Sequence, residues 1–352
     1  MKILHTADIH LQEYGDERWR ALESLIEIGK KEKVDIFIIA GDLFNKGVSA
    51  ENLRGKIRTL FSNTGFKIYI LPGNHDKDSY KPGLFFGADV KILEEEPSDI
   101  QDIRIIGLPF EEIKGEEILQ KVNSLKKKLK KEGINILVFH GELLDSFYSR
   151  ADFGEEGSKR YMPLRLSYFD ELSINYILAG HFHTNFDVIE LKNGGYFVYP
   201  GSPISITKRE TGRRMVNIFE LKNPPSEYPL DTPYFEALDI ELDPLEDESP
   251  VEKIEAELKR LPQNSKVLLK VRGYFNARKI GLTETSLIER IKKICIERCA
   301  GEPEFEFRDI QAILEDDLFK EFLKKLEQKD FEEGVKRGMR NIAIKAMMEG
   351  MS

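Results

Sequence analysis

Five of the six histidines in this sequence of 352 residues fall in short segments that also hold aspartate, asparagine or glycine. Together with one further Gly-Asp pair, the segments are Asp8-Ile9-His10, Gly41-Asp42, Gly73-Asn74-His75-Asp76, His140-Gly141 and Gly180-His181-Phe182-His183. Carboxylate, amide and imidazole groups suit Mn²⁺, Fe²⁺ or Zn²⁺. One aspartate can bridge two ions about 3.5–4 Å apart, which together activate water and stabilise charge on a phosphoryl oxygen. These residue types therefore predict a two-metal site for phosphoester hydrolysis.

Each segment directly follows an apolar run of strand length. The predicted strands before the five segments are Lys2–Thr6, Asp35–Ala40, Lys67–Leu71, Ile134–Phe139 and Asn175–Ala179. Because the carboxyl ends of strands gather along one edge of a sheet, segments that are far apart in sequence can converge there. A lone histidine at a strand end is usually structural, but the ordered combination favours the metal site. His5 lies inside the first strand, and we assign it to packing.

Segments with helical periodicity lie between these strands. Asp16–Lys33 and Glu116–Lys131 each place apolar residues on one helical face, and Ile103–Leu108 adds a further buried strand. Gly195–Tyr199 and Met215–Leu221 follow at the spacing of a hairpin. The pattern predicts a layered α/β domain whose sheets are covered by helices.

A proline-rich stretch at 223–233 holds four prolines in eleven residues and is the predicted domain boundary. Beyond it, predicted strands 235–242, 266–275 and 304–312 alternate with helices 250–261 and 284–299, which indicates a small α+β module. Two helical segments, 316–328 and 331–348, follow it. The expected domains are 1–225, 232–314 and 315–352.

The net charge of −9 argues against a protein that holds nucleic acid by bulk positive charge. Two divalent ions would add about +4 locally, so a phosphate substrate remains compatible with this charge. The two cysteines, Cys295 and Cys299, lie four apart in a predicted helix, and we favour packing over a redox pair. The sequence shows no signal-peptide h-region and no apolar run near the roughly 20 residues of a membrane span. We expect a cytoplasmic protein without a membrane partner.

The order and spacing of the five segments resemble the calcineurin-like metallophosphoesterase superfamily, from Lys2 to about Leu221. The resemblance implies an α/β (α+β) fold class in which two packed β-sheets are flanked by helices. It also implies two divalent metal ions, with Asp42 bridging them. The implied ligands are Asp8, His10, Asp42 and His183 for one ion, and Asp42, Asn74, His140 and His181 for the other.

The superfamily also implies roles for the last two residues of the Asn-His-Asp triplet. The histidine of this triplet is usually not a ligand, so His75 is expected to contact the scissile phosphate and to stabilise charge or protonate the leaving oxygen. Asp76 would orient His75 by accepting its other N–H. The alternative for Asp76 is a local turn or helix cap.

Three further features resemble the SbcD nucleases and their archaeal and eukaryotic Mre-type counterparts. They are the opening M-K-I-L-H-T-A-D-I-H-L with A-G-D-L-F, the Y-P-G-S-P segment at Tyr199–Pro203, and a small module that resembles the family's DNA-orienting capping domain. The resemblance implies a Mn²⁺-dependent DNA exonuclease and endonuclease that acts in double-strand break repair. The alternative is a phosphoesterase of small-molecule or phosphoprotein substrates with a C-terminal gating domain. A non-catalytic scaffold is disfavoured because it would not need the ligand set.

Several residues are candidates for contact with the substrate. Family members often carry histidine three residues after the bridging aspartate, but this sequence has Asn45, which can donate a hydrogen bond but cannot shuttle a proton near neutral pH. The other candidates are Ser202 and, in the basic run at 208–214, Lys208, Arg209 and Arg213. The alternative for the basic run is a solvated hairpin loop.

The resemblance finally implies two protein partners. In the resembled family a C-terminal helical segment docks onto the coiled coil of an SMC-like ATPase of the SbcC or Rad type, and residues 316–348 are the candidate here. Packing on the capping module is the alternative. Family members also form homodimers, for which Ser49–Phe61 is a candidate surface, with core packing as its alternative.

Overall fold

The computed structural model describes residues 1–81, 83–113, 115–145, 148 and 160–351. It divides into two compact units, Met1–Phe235 and Glu236–Ser352. The strands are β1 (Lys2–Thr6), β2 (Ile36–Ala40), β3 (Lys67–Leu71), β4 (Val90–Ile92), β5 (Ser98–Ile100), β6 (Ile103–Leu108), β7 (Ile134–His140), β8 (Tyr176–Gly180), β9 (Asp187–Glu190), β10 (Tyr196–Tyr199), β11 (Met215–Glu220), β12 (Glu227–Pro229), β13 (Tyr234–Leu242), β14 (Ser265–Phe275) and β15 (Glu304–Asp309). The α-helices are α1 (Glu17–Lys31), α2 (Ala50–Leu60), α3 (Glu116–Ser124), α4 (Pro250–Arg260), α5 (Ala277–Ile280), α6 (Glu284–Cys295), α7 (Gln311–Glu315), α8 (Asp317–Glu327) and α9 (Glu333–Met351).

Two six-stranded sheets form the framework of the first unit. In the first sheet, ordered β12-β11-β1-β2-β3-β4, strands β1 to β4 are parallel and β11 runs antiparallel to β1. In the second sheet, ordered β5-β6-β7-β8-β10-β9, strands β6, β7, β8 and β10 are parallel. Strands β5 and β9 are antiparallel edge strands. The carboxyl ends of the parallel strands therefore lie along one edge of each sheet.

Three clusters of buried apolar residues show that the sheets and helices of the first unit are packed in layers. Successive residues of a strand point to opposite faces. Leu4 of β1 packs with Leu22 of α1 and Ile57 of α2 on the helix-covered face of the first sheet. Ile3 points the other way and joins a cluster with Ile136 of β7 in the second sheet. The third cluster combines the opposite face of the second sheet with α3. The predicted two-sheet sandwich flanked by helices is confirmed.

Helix α1 shows how the sequence produces one of the covering helices. Its N-terminus is capped by Asp16, whose carboxylate accepts a hydrogen bond from the Trp19 N–H at 2.7 Å. Trp19, Leu22 and Leu25 then recur at helical spacing, and all three are buried. The cap fixes where the helix begins, and the apolar face fixes its packing against the first sheet.

Most of the predicted elements of the first unit are confirmed. The hairpin prediction is wrong, because β10 pairs with β8 and β9 in the second sheet whereas β11 pairs with β1 and β12 in the first. Helix α3 is shorter than predicted: it ends at Ser124, and a 3₁₀ turn follows. The apolar face of α2 lies in the core, where Leu53, Ile57 and Phe61 are buried. Core packing, rather than a free dimer surface, is therefore confirmed for these residues.

The second unit contains the three-stranded sheet β13-β14-β15, in which β14 and β15 are parallel. Helices α4 and α6 pack with these strands, and Cys295 is buried in that cluster as predicted. Ile313, Phe319 and Ile344 join α7, α8 and α9 in a smaller cluster. None of the helices in the described ranges is long and apolar enough to cross a membrane.

Candidate metal centre

The loops that follow the parallel strands are joined by backbone hydrogen bonds. The Asp8 N–H donates to the Gly41 carbonyl at 3.1 Å, which connects the loops after β1 and β2. The Gly141 N–H donates to the Gly180 carbonyl at 3.3 Å, which connects the loops after β7 and β8. The His181 N–H donates to Asp8 Oδ2 at 2.9 Å and so links the loops of the two sheets. The convergence that the sequence predicts is therefore present.

Four non-glycine residues in the described part of these loops have a left-handed backbone. The φ angles are 56° at Asp8, 51° at His10, 52° at Asp42 and 91° at His181. Non-glycine residues seldom adopt positive φ, and each instance costs about 1–3 kcal/mol, which the surrounding structure must supply. Such outliers concentrate at functional sites, and here they turn the side chains toward one small region.

The carboxylate of Asp8 has one oxygen fixed by the backbone and one directed at imidazole rings. Oδ2 accepts the hydrogen bond from the His181 N–H. Oδ1 lies close to the Nε2 atoms of three histidines, at 3.4 Å from His183, 3.9 Å from His10 and 4.0 Å from His140.

The carboxylate of Asp42 repeats this arrangement. Its Oδ1 accepts a hydrogen bond from the His75 N–H at 2.9 Å. Its Oδ2 lies 3.4 Å from His140 Nε2, 3.7 Å from His10 Nε2 and 4.0 Å from His75 Nε2. Two neighbouring carboxylates thus present one oxygen each to a shared set of imidazole nitrogens.

The two inward oxygens, Asp8 Oδ1 and Asp42 Oδ2, are buried and have no hydrogen-bond partner among the described residues. A buried carboxylate oxygen without a partner is costly, which indicates that something else compensates its charge. Two ligands that each bind one ion at about 2.1 Å lie roughly 3–3.5 Å apart. The 3.4 Å distances from these oxygens to His183 and His140 match that separation. The donor set therefore fits divalent cations.

Three groups of ligand-type side chains have donor atoms within 4.8 Å of one another. They are Asp8 with His10 and His183, Asp8 with Asp42 and His140, and Asp42 with His10 and His75. His75 belongs to one group, although the resemblance assigns it to the phosphate. His181, an expected ligand, belongs to none of the three, and its ring lies 5.2 Å from the His140 ring.

His140 is oriented by the backbone of the neighbouring sheet. Its Nδ1 lies 2.8 Å from the Ala40 carbonyl, so a proton on Nδ1 is donated there and Nε2 faces the site. This Nε2 lies 2.9 Å from Asn74 Oδ1. The two atoms are close neighbours, as two ligands of one ion would be.

Electrostatics divide the histidines into two kinds. Burial lowers the pKa of His10 to about 4. Burial also disfavours a charge on His140, yet the neighbouring Asp42 and Asp8 carboxylates together raise its pKa to about 9. The same balance, with Asp8 as the main carboxylate, raises the pKa of His183 to about 10. His140 and His183 must each lose a proton before Nε2 can bind a cation, so cation binding releases protons.

Glycines beside the expected ligands are needed where side chains approach the backbone. A Cβ added at Gly41, where φ is +98°, would lie 1.9 Å from His140 Nδ1. A Cβ at Gly73 would lie 2.1 Å from Asp42 Oδ1, although φ at Gly73 is not positive. The positive φ explains Gly41 in part, whereas close approach explains both positions.

Asp76 shapes the loop after β3. Its carboxylate accepts hydrogen bonds from the Gly73 N–H at 2.8 Å, the Phe44 N–H at 3.1 Å and the Tyr80 hydroxyl at 2.7 Å. Burial and the nearby Asp42 carboxylate raise the pKa of Asp76 to about 6. These bonds favour the local-turn alternative for Asp76 over direct orientation of the His75 ring.

Glu210 is a fully buried carboxylate behind the site and is not among the site residues predicted from the sequence. Its Oε1 lies 3.3 Å from His183 Nδ1. Ser202, an expected substrate contact, is also fully buried, and its hydroxyl donates to Glu210 Oε2 at 3.1 Å. Glu210 stands within the basic run at 208–214, where a single acidic residue is the only local signal.

The remaining expected substrate contacts lie nearer the surface. Lys208 and Arg209 are exposed. Arg213 is bound to the Asp231 carboxylate at 2.5 Å and to the Leu230 carbonyl at 2.9 Å. Asn45 is half-buried, and its backbone N–H donates to the Leu11 carbonyl at 3.0 Å.

A cleft of about 1150 Å³ opens beside Asn74 and His75. Among the residues that the structure describes, its walls carry four basic side chains, Lys46, Lys77, Lys81 and Arg160, and four acidic ones, Glu51, Asp78, Glu111 and Glu112. The cleft is therefore large enough for a substrate of several groups, and the described residues of its walls carry no excess of positive charge.

Comparison with known proteins agrees with this geometry. The family model for calcineurin-like phosphoesterases matches residues 1–185. The DNA double-strand break repair protein Mre11 of Saccharolobus solfataricus is 26% identical over 235 residues, which cover 60% of this chain and 56% of that protein. This chain thus spans a little over half the length of that relative.

Two solved structures are similar to part of this chain. The TT1561 protein of Thermus thermophilus has a TM-score of 0.41 and 14% identity, covering 61% of this chain and 92% of its own. A dimetal phosphatase from Danio rerio has a TM-score of 0.38 and 12% identity, covering 62% and 91%. Because the family model spans more than half of the sequence and includes the loops after β1, β2, β3, β7 and β8, the chain belongs to the calcineurin-like phosphoesterases, a family of phosphoester hydrolases.

Proposed function

We propose that this chain is a nuclease that hydrolyses phosphodiester bonds in DNA with two divalent ions, Mn²⁺ being the expected metal. The observation that carries the proposal is the pair of inward carboxylate oxygens, Asp8 Oδ1 and Asp42 Oδ2, among imidazole nitrogens. Ions bound there would polarise a phosphoryl oxygen and lower the pKa of water. No covalent intermediate on the protein is required.

The proposed ligands are those implied by the superfamily. One ion would be held by Asp8, His10, Asp42 and His183, and the other by Asp42, Asn74, His140 and His181. The first set is supported by the close grouping of Asp8, His10 and His183. The second is supported by the contact of His140 with Asn74 and by its 3.4 Å distance to Asp42.

His75 is proposed to act on the substrate. Its side chain retains 15% exposure, more than the other histidines of the site, and it borders the cleft. From there an imidazole N–H could stabilise charge on the phosphate or protonate the leaving oxygen. Asp76 would support this role indirectly by holding the loop that carries His75.

DNA is the proposed substrate because one similar protein, Mre11 of Saccharolobus solfataricus, is a DNA double-strand break repair protein. The described part of the cleft has equal numbers of acidic and basic side chains, and the net charge of the chain is −9. Bulk charge would therefore not hold DNA. Binding would instead depend on the bound ions and on individual contacts, for which Asn45, Lys208 and Arg209 are candidates.

The experiment compares four substrates with Mn²⁺: single-stranded DNA, duplex DNA ends, bis-p-nitrophenyl phosphate and p-nitrophenyl phosphate. We expect cleavage of DNA and of the diester. Asp42→Asn should abolish it, whereas the matched control Asp102→Asn, at an exposed turn, should not. Hydrolysis of the monoester alone would overturn the nuclease proposal and favour a small-molecule or phosphoprotein phosphatase.

We also propose an SMC-like ATPase of the SbcC or Rad type as a partner in double-strand break repair. The supporting observation is that α8 and α9 bury one set of apolar residues and expose another. Phe319 and Ile344 are buried, whereas Leu318 is 71% and Ile342 is 72% exposed. An exposed apolar helix face suits docking against a coiled coil.

Point variants test this partner without removing the packed helices. Ile342→Glu should reduce co-purification with the ATPase. Gln328→Glu adds the same charge at an exposed position and should not. Equal retention by both variants would remove residues 316–348 as the docking segment.

The second unit is proposed to contain a DNA-orienting capping module at 232–314, and the chain is proposed to form a homodimer. Since the apolar face of α2 is buried, a dimer would need another surface. Light scattering of the purified chain at several concentrations tests this, and a constant monomer mass would contradict it.

A further inference from the structure

We infer that Glu210 is a positioning residue of the metal centre, which fixes the orientation and the tautomer of His183. The inference rests on the proposed function, in which His183 binds an ion. It concerns a buried carboxylate that contacts the His183 ring, so its effect on the site would pass through that ring.

Glu210 is held by a set of donors that leaves it little freedom. Its Oε2 accepts hydrogen bonds from the Ile206 N–H at 2.6 Å and from the Ser202 hydroxyl at 3.1 Å. Its Oε1 accepts from the N–H and the hydroxyl of Thr207, both at 3.2 Å, and lies 3.3 Å from His183 Nδ1. The two N–H groups and the two hydroxyls all donate to Glu210, so the site is built for a carboxylate.

The direction of these bonds determines which nitrogen of His183 is available. A carboxylate can only accept, so His183 carries a proton on Nδ1 when it contacts Glu210. Its Nε2 then faces Asp8 Oδ1 at 3.4 Å with a free lone pair once the second proton has left. Carboxylate contacts of this kind set the tautomer and raise the basicity of metal-binding histidines.

Arg214 fixes the backbone of the same residue. It is 2% exposed and donates to the Ser202 carbonyl at 2.9 Å, to the Thr184 carbonyl at 2.8 Å and to the His183 carbonyl. The guanidinium also places a positive charge near the buried Glu210 carboxylate. The ring and the main chain of His183 are therefore held by two oppositely charged residues of the segment between β10 and β11.

The substitution Glu210→Gln separates positioning from a general structural role. The 2.6 Å bond from the Ile206 N–H is shorter than the 3.2 Å bond from the Thr207 N–H, so we expect the amide oxygen to keep the Ile206 bond. The amide NH₂ would then face His183 Nδ1 and make that atom an acceptor. The His183 proton would then reside on Nε2, where it blocks cation binding. Thr207→Val is the matched control, because it removes one bond to the same carboxylate and leaves His183 untouched.

Calorimetric titration of the full chain with Mn²⁺ tests the inference. We expect two binding events in the wild type and a loss of about 10–100-fold in affinity for one of them in Glu210→Gln. Thr207→Val should bind as the wild type does. Wild-type affinities for both ions in Glu210→Gln would overturn the inference, whereas absence of Mn²⁺ binding to the wild type would overturn the proposed function itself.

A measurement on the wild type covers the case in which Glu210→Gln fails to fold. With diamagnetic Zn²⁺ bound, ¹⁵N–¹H correlation spectra report which ring nitrogen of each histidine carries the proton. We expect a protonated Nδ1 for His183. A proton on Nε2, or Zn²⁺ on Nδ1, would contradict the inference.

Discussion

The substitution Gly41→Ala tests how closely the backbone after β2 controls the metal centre. The new Cβ would lie 1.9 Å from His140 Nδ1, whereas ordinary contact begins at 3.4 Å, so the imidazole must move by about 1.5 Å. That movement breaks the 2.8 Å bond to the Ala40 carbonyl, which contributes about 0.5–1.5 kcal/mol. Positive φ adds about 1–3 kcal/mol. A displacement of about 1 Å at a reacting group can reduce turnover about 100-fold.

The matched control is Gly65→Ala. Its φ of +89° is close to the +98° of Gly41, but its Cβ meets no described atom within 4 Å. Urea unfolding should show that the cost of positive φ lowers the free energy of unfolding in both variants. The free energy of unfolding should be lowered further in Gly41→Ala. Titration with Mn²⁺ should show weakened binding only in Gly41→Ala. Equal Mn²⁺ affinities in the two variants would refute the placement of His140 against the cation.

Three further predictions concern the same site. His75→Ala should abolish turnover while calorimetry still detects Mn²⁺ binding, and loss of Mn²⁺ would show that His75 is a ligand. Asp76→Asn should lower the free energy of unfolding by about 1–3 kcal/mol, because the amide cannot accept all three bonds, and Tyr80→Phe should have a smaller effect. Mn²⁺ affinity should rise from pH 6.5 to 8.5, because the raised pKa values of His140 and His183, about 9 and 10, keep these rings protonated in the ion-free protein. The Mn²⁺ affinity would be measured in buffers of different ionisation heat. An affinity that stays constant over this pH range would contradict the last prediction.

The sequence predicted the central strands well because their signal is local. Runs such as Ile36–Ala40 are buried throughout, and they read as continuous apolar stretches. Strands β4, β5, β9 and β12 have three or four residues each, too few for a period to appear. The assignment of β10 and β11 to different sheets depends on long-range pairing, which sequence spacing does not encode.

Some residues of the site could likewise be identified from a local sequence signal, whereas others could not. Asp8, Asp42 and His140 were identifiable because chemistry-bearing residues follow strands in order. Glu210 was not, because its burial depends on the segment folding back behind His183, whereas its neighbours Lys208 and Arg209 indicate a solvated loop. The bonds of Asp76 to Phe44 and Tyr80 likewise required the tertiary structure.

Crystals grown without metal and soaked in Mn²⁺ would test the central assignment most directly through anomalous scattering. Two peaks about 3.5–4 Å apart are expected, with one beside Asp8 Oδ1, one beside His140 Nε2 and Asp42 Oδ2 between them. A single peak, or peaks that lie away from both carboxylates, would contradict the two-metal centre.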